Sequence, residues 1–178
     1  MRRAWLAGLA LVGALAAPAV ARADAPIGRV ALLAGLRATS GELGERFDLG
    51  GTIGVEAGYI PDRVGVVWTV LFTRHSAAEG APLDDALDLT ELGAALRVRV
   101  PLTVGEELAA FIQAGGELGR ASLPVPPTGV RSWVAPAGAL GIEWTQGDYV
   151  LGAAARFAAL GDGPLVTGLM LSVGAGSR

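Results

Sequence analysis

The sequence predicts an all-β chain: an antiparallel, eight-stranded transmembrane up-and-down β-barrel preceded by a cleaved signal peptide. Three observations carry this expectation. The first is the run Phe47 to Tyr59, F-D-L-G-G-T-I-G-V-E-A-G-Y. Phe47, Leu49, Gly51, Ile53, Val55, Ala57 and Tyr59 alternate there with Asp48, Gly50, Thr52, Gly54, Glu56 and Gly58. A period of two marks a strand, because successive side chains point to opposite faces. One face is apolar with aromatic ends; the other is small and polar with two carboxylates. That pairing suits a strand with lipid on one side and a crowded lumen on the other. The second observation is a hydrophobic chain, with mean hydropathy +0.49 and 17% charged residues. Past its first residues it still has no apolar stretch near the ~20 residues of a spanning helix. The third is an alternation of short turns with longer loops.

The elements follow in order. The first strand, Arg29 to Thr39, sets Val30, Leu32, Ala34, Leu36 and Ala38 against Arg29, Gly35, Arg37 and Thr39. The second is Phe47 to Tyr59. The third, Val64 to Thr73, aligns Val64, Val66, Trp68, Val70 and Phe72. The fourth, Thr90 to Val100, sets Leu92, Leu96 and Val98 against Glu91, Arg97 and Arg99. The fifth, Leu108 to Gly119, carries Gln113 and Glu117 on one face, although Gly105 to Ile112 also reads as a helix start. The sixth, Arg131 to Thr145, opposes Leu140, Ile142 and Trp144 to Glu143. Pro136 interrupts it, which calls for a bulge or a strand starting at Ala137. The seventh, Tyr149 to Ala159, opposes Leu151 and Phe157 to Arg156, and the eighth runs from Leu165 to Ala175. Each is long enough to cross a bilayer as a tilted strand of ~9–11 residues.

Residues 60–63, 101–107 and 146–148 are the short turns; 40–46, 74–89 and 120–130 are longer and polar or proline-rich. Short turns are periplasmic in outer-membrane barrels and long loops external, so both termini fall in the periplasm. The 161–164 loop is short for the outer side.

A soluble lipocalin-like barrel alternates too, with its apolar face inward. The polar face decides between them. It is mostly glycine and alanine punctuated by charges, which suits a narrow interior filled by its own side chains. The interior charges expected are Arg29, Arg37, Asp48, Glu56, Glu91, Arg97, Arg99, Glu117, Glu143 and Arg156, balanced in sign and therefore able to pair. The aromatic girdle expected is Tyr59, Trp144 and Tyr149 at the short turns and Phe47, Phe72 and Phe157 at the opposite strand ends.

Residues 1–23 read as the signal peptide: Arg2-Arg3, an apolar Ala4 to Ala17, and an A-x-A site at Ala21-Arg22-Ala23. Residues 24–178 form one domain, the barrel. The formal charge is −3 over the whole chain and more negative once Arg2, Arg3 and Arg22 are removed, the wrong sign for nucleic acid. The fourteen basic residues are all arginine, and there is no cysteine, so neither disulfides nor thiolate metal sites arise.

Across residues 24–178 the chain resembles the small OmpA- and OmpX-type outer-membrane barrels. The family's last strand places a glycine before alternating apolar residues and a terminal aromatic. Gly168, Leu171 and Val173 match that spacing, whereas Gly174 to Arg178 replace the aromatic. The resemblance implies a Gram-negative outer membrane, surrounding lipids and lipopolysaccharide, and insertion by the barrel-assembly machinery. The residues identify no surface partner.

Candidate chemistry is sparse. His75, the only histidine, precedes Ser76 and lies near Glu79; a barrel lipase would need serine and base within hydrogen-bond reach. A polar start to the outer loop is the expectation for His75. Asp84, Asp85 and Asp88 lack calcium-loop spacing. No catalytic residue, metal or cofactor is implied. The expected function is structural, envelope-maintaining or adhesive, and non-enzymatic. The alternatives are a lipid-modifying barrel enzyme and a periplasmic lipocalin-like carrier of a small apolar ligand. A porin fits least, because eight strands leave no aqueous channel.

Overall fold

The computed structural model describes residues 28–61, 63–79, 86–102, 107–123, 129–159 and 165–176. The expected signal peptide, the acidic pair Asp84 and Asp85, and the 161–164 loop lie outside them. Eight antiparallel strands follow one another around a closed barrel: β1 (Gly28–Thr39), β2 (Phe47–Tyr59), β3 (Val64–Ala77), β4 (Leu87–Pro101), β5 (Leu108–Leu123), β6 (Gly129–Gln146), β7 (Tyr149–Ala159) and β8 (Leu165–Gly176). Each strand pairs with its sequence neighbours, and β8 closes on β1 from Val166 opposite Thr39 to Gly176 opposite Arg29. Closure leaves the sheet without a pair of open edges. The fifth segment is a strand along its whole length.

Residues 60–63, 102–107 and 147–148 connect the strands at one end, the short-turn end, and residues 40–46, 78–86, 124–128 and 160–164 at the other, the long-loop end, where the last two connections are no longer than 102–107. At the short-turn end Gly147 takes φ +60°, a left-handed conformation that glycine adopts without the Cβ clash. At the long-loop end the first connection is a single-turn helix, α1 (Gly41–Arg46). Ser40 precedes it, but its hydroxyl accepts from the Leu165 N–H at 2.8 Å and so ties α1 to β8.

The long-loop strands outrun expectation. β3 continues to Ala77, β4 begins at Leu87, β5 reaches Leu123 and β6 begins at Gly129. In this raised part of the wall the polarity of the two faces inverts. Outward positions become Arg74, Ser76, Thr90, Arg120, Ser122 and Ser132, all exposed. Inward, Phe47, Leu87, Leu89, Ala121 and Val166 form an apolar cluster, with Leu43 of α1 and Trp133 packed on it. Polar outside and apolar inside is the pattern of a sheet in water, so the raised wall reads as the part that leaves the bilayer.

Two expectations fail at one feature. The β2–β3 register shifts between Phe47 and Gly50, placing one extra residue on β2, a β-bulge. Both Asp48 and Leu49 are consequently exposed, and Phe47 turns inward with 3% of its surface accessible. Asp48 is therefore not an interior charge, and Phe47 is not part of a lipid-facing girdle. The interruption at Pro136 is resolved differently from expectation. β6 runs through it, paired with Gly116 on the β5 side. The β7 ladder ends at Ala137 opposite Ala158, so the missing N–H falls at the end of that ladder and not within it.

Candidate functional site

Between the two ends the inward side chains form connected ion pairs. The cluster nearer the short turns is built by β1, β2, β4 and β6. Arg97 (β4) donates to Glu56 (β2) at 2.7 Å and lies 3.4 Å from Glu143 (β6). Arg29 (β1) bridges the same two carboxylates, 3.2 Å from Glu56 and 2.5 Å from Glu143. Arg99 reaches Glu143 as well, and Gln113 donates to Glu56 at 3.2 Å. The Arg97 guanidinium also lies 4.2 Å from the ring centre of Phe111, a cation–π contact.

The cluster nearer the long loops has two pairs. Arg37 (β1) pairs with Glu91 (β4), both fully buried. Arg156 (β7) lies 3.2 Å from Glu117 (β5) and donates to the Thr69 hydroxyl at 3.1 Å. The Thr52 and Thr73 hydroxyls are 2.8 Å apart beside Arg37. Gly168 makes room for this cluster: a Cβ there would run into the Arg37 side chain and the Leu36 carbonyl. Opposite charges removed from water need this pairing, because an isolated buried charge is far costlier than a satisfied pair.

The strands thus bring together Arg29, Arg37, Glu56, Glu91, Arg97, Arg99, Glu117, Glu143 and Arg156. Asp48 alone of the expected set lies outside. Arg97 and Arg99 meet Glu56 and Glu143, while Glu117 belongs to Arg156. Tyr59, Trp144 and Tyr149 are exposed on the outer surface at the short-turn end. Phe72 and Phe157 lie on the outer surface toward the other end, Phe72 half-buried and Phe157 exposed.

His75 departs from its expected place in an outer loop. It sits on β3 facing inward, fully buried, with Nδ1 2.9 Å from the Asp48 carbonyl oxygen. Ser76 is exposed on the opposite face, so serine and histidine do not meet. The signal that finds His75, Thr73 and Thr69 is the parity of β3 itself: Thr69, Thr73 and His75 share the face opposite Val64 to Phe72. Asp88 lies on β4, 3.7 Å from Arg74 across the outer surface.

The outer surface around both clusters is apolar. Leu32, Leu36, Leu92, Leu96, Ile112, Leu118, Leu140, Ile142, Leu151, Leu169, Leu171 and Val173 are all exposed, up to 72% for Leu169. Around the two clusters, large aliphatic side chains thus face outward from β1, β4, β5, β6, β7 and β8 while the arginines and glutamates face in.

This architecture is that of the small eight-stranded outer-membrane barrels. Among solved structures, Neisserial surface protein A is similar at a TM-score of 0.65 and 18% identity, covering 83% of this chain and 96% of that one. Ail, the attachment invasion locus protein of Yersinia pestis, is similar at 0.61 and 16%, covering 85% and 99%. A second Ail structure, in complex with the heparin analogue sucrose octasulfate, gives 0.60 and 16%, covering 85% and 98%. No family model and no curated protein matches the chain.

Proposed function

We propose that the chain is an integral outer-membrane barrel with a structural, envelope-maintaining or surface-contact role and no catalytic activity. The observation that carries this reading is the reversed polarity of the wall. Soluble monomers rarely expose a contiguous apolar patch beyond a few hundred Å², whereas here exposed leucine, isoleucine and valine encircle a core of ion pairs. In lipid that belt is at home, and the closed barrel satisfies the backbone. Residues 1–23 serve as the export signal and residues 24–178 as the inserted domain. The barrel-assembly machinery places it among outer-membrane lipids and lipopolysaccharide.

The other roles fit less well. A lipocalin-like carrier needs an apolar lumen, and this one is lined by arginine and glutamate. A serine-histidine lipase needs the two side chains on one face, and Ser76 and His75 point apart. The interior carboxylates each face an arginine, an arrangement that serves packing without a substrate. The names of Ail and of Neisserial surface protein A describe proteins of attachment and of the cell surface, and the proposed role is of that broad kind. The test is fractionation. After carbonate or urea washing the protein is expected to stay with outer membranes and to migrate differently on a gel before and after boiling. Recovery in the soluble periplasmic fraction contradicts the proposal.

A further inference from the structure

The chain's only histidine is built into the joint between the charged interior and the apolar cluster above it. His75 lies on the raised part of β3 and is fully buried. Gly50 stands opposite it on β2 and Leu87 on β4. A Cβ at Gly50 would run into the imidazole ring, so the ring packs directly on the β2 backbone. Leu87 belongs to the apolar cluster with Phe47, Leu89, Ala121 and Val166. Two residues along the same face, the Thr73 hydroxyl lies 3.5 Å from the Arg37 guanidinium. The ring is therefore held between an apolar cap on one side and an arginine on the other.

Its hydrogen bonding determines where an added proton goes. Nδ1 lies 2.9 Å from the Asp48 main-chain oxygen. A carbonyl only accepts, so Nδ1 carries the hydrogen and donates it. In the neutral ring Nε2 is then the bare nitrogen, and it is buried with no hydrogen-bond partner among the described residues. Protonation there creates a charged ring with a buried donor that has no acceptor, which is costlier than a neutral unpaired nitrogen. The surrounding charges do not offset this. Arg37 on β1 has the same sign, and Glu91 on β4 is already paired with it. Glu117 of β5 and Arg156 of β7 pair with each other. The Asp48 side chain of β2 is exposed, as are Glu45 and Arg46 of α1. Arg74 and Asp88, next along β3 and β4, meet on the outer surface. Burial pushes the His75 pKa below its ordinary value; the Asp48 hydrogen bond opposes that shift and the Arg37 charge adds to it.

We propose that His75 is an acid-sensitive latch: a proton taken up from the external medium at Nε2 unseats the ring from the β2 bulge and releases α1 and the apolar cluster from the top of the barrel. The inference rests on the outer-membrane reading for where the latch faces, since that reading puts the raised wall outside the cell. The path of the release is short. The Asp48 carbonyl that holds the ring lies within the bulge between Phe47 and Gly50. Phe47 anchors the apolar cluster, and its N–H donates to the Leu43 carbonyl at the end of α1. β3 is tied to the same helix end, the Ala78 N–H donating to the Arg46 carbonyl. From Gly50 to Tyr59 the β2–β3 ladder is regular, so the opening stops at the bulge. The sign follows from the lowered pKa. The closed cap keeps its full stability above about pH 6.5, the ordinary value for histidine, and loses it as the pH falls from there toward the folded-state value.

The experiment is an NMR pH titration of the full barrel in phospholipid nanodiscs. Imidazole nitrogen shifts report the tautomer and charge of the ring. Amide protection factors, which remove the intrinsic pH dependence of exchange, report opening. Near neutral pH the ring is expected to be uncharged with its hydrogen on Nδ1. As it takes up a proton in mild acid, protection of the Phe47 and Ala78 amides should fall by about tenfold or more, with the same midpoint, while Leu71 stays within about twofold. His75→Asn keeps an N–H near the Asp48 carbonyl without titrating, and His75→Phe fills the space with an apolar ring. Whichever of the two folds should lose the pH dependence at Phe47 and Ala78. The proposal is overturned by a ring that titrates with no loss of protection, or by a ring already charged near neutral pH. A loss that persists in either variant also overturns it and assigns the effect to the carboxylates. Heat-modifiability of the same sample reads insertion. A barrel that inserts and stays closed in acid refutes the latch alone, whereas a chain that does not insert refutes the membrane reading.

Discussion

Arg37 and Arg97 occupy the same kind of position and differ in how many partners they share. Arg37 pairs with Glu91, and both are shielded from water. Arg97 shares Glu56 and Glu143 with Arg29, and Arg99 adds to Glu143. Removing one partner of a buried pair strands the other charge and costs ~3–5 kcal/mol, whereas replacing both by apolar residues of similar size can be nearly neutral. Arg37→Met is expected to lower the urea midpoint of the folded barrel well below that of the exposed control Arg46→Met. Adding Glu91→Leu should restore most of the loss. The matching double change, Arg97→Met with Glu56→Leu, should restore less, because it leaves Arg29 and Gln113 without Glu56. Equal recovery in the two pairs would contradict the shared network. At Gly168 a side chain displaces Arg37 rather than removing it, and Gly168→Leu should cost ~1–3 kcal/mol through overpacking in the same unfolding experiment.

At the scale of elements, the apolar cluster at the long-loop end is a small core separate from the charged interior. Phe47→Ala should cost ~3–5 kcal/mol as a large-to-small core change. It should loosen amide protection in α1 and the raised ends of β3 and β4 while leaving the lower halves of the strands protected. A uniform loss of protection would show that the cluster is not a separate unit. The same region is where strict alternation along the chain breaks down. The strand count, the order, the short turns and the inward arginines and glutamates all follow from a period of two, which survives as long as each residue advances the strand by one. The bulge between Phe47 and Gly50 breaks that parity, and nothing local in F-D-L-G announces it. Strict alternation therefore puts Asp48 inside and Phe47 on the lipid face, the reverse of where the bulge leaves them. The raised wall was hidden for a different reason. Once the strand leaves lipid, polar residues move outward and apolar residues inward, so Arg74, His75 and Leu87 read as loop although the alternation continues through them. Pro136 pointed to an irregular strand; in the fold it marks the point where β6 loses its β7 neighbour.

At the scale of the whole molecule, the interior holds, among the described residues, five arginines, Arg29, Arg37, Arg97, Arg99 and Arg156, against four glutamates, Glu56, Glu91, Glu117 and Glu143. With Asp48 outside, these nine side chains carry a small positive excess, and Arg99 is the most accessible arginine among them, with 17% of its side chain exposed. Around this core the belt must stay apolar. Leu96→Arg places a charge on it and should cost ~2–4 kcal/mol near the midplane, read as loss of the heat-modifiable folded form in lipid.

The central claim is the assignment of the two faces, and β2 tests it most directly because the chain has no cysteine of its own. Single cysteines are placed at Thr52, Ile53, Gly54, Val55, Glu56 and Ala57 and exposed to a thiol reagent confined to the lipid phase. Labelling is expected at positions 53, 55 and 57 and protection at 52, 54 and 56. Labelling of the even positions with protection of the odd ones would contradict it, and would mean that the charges face outward and the leucines in.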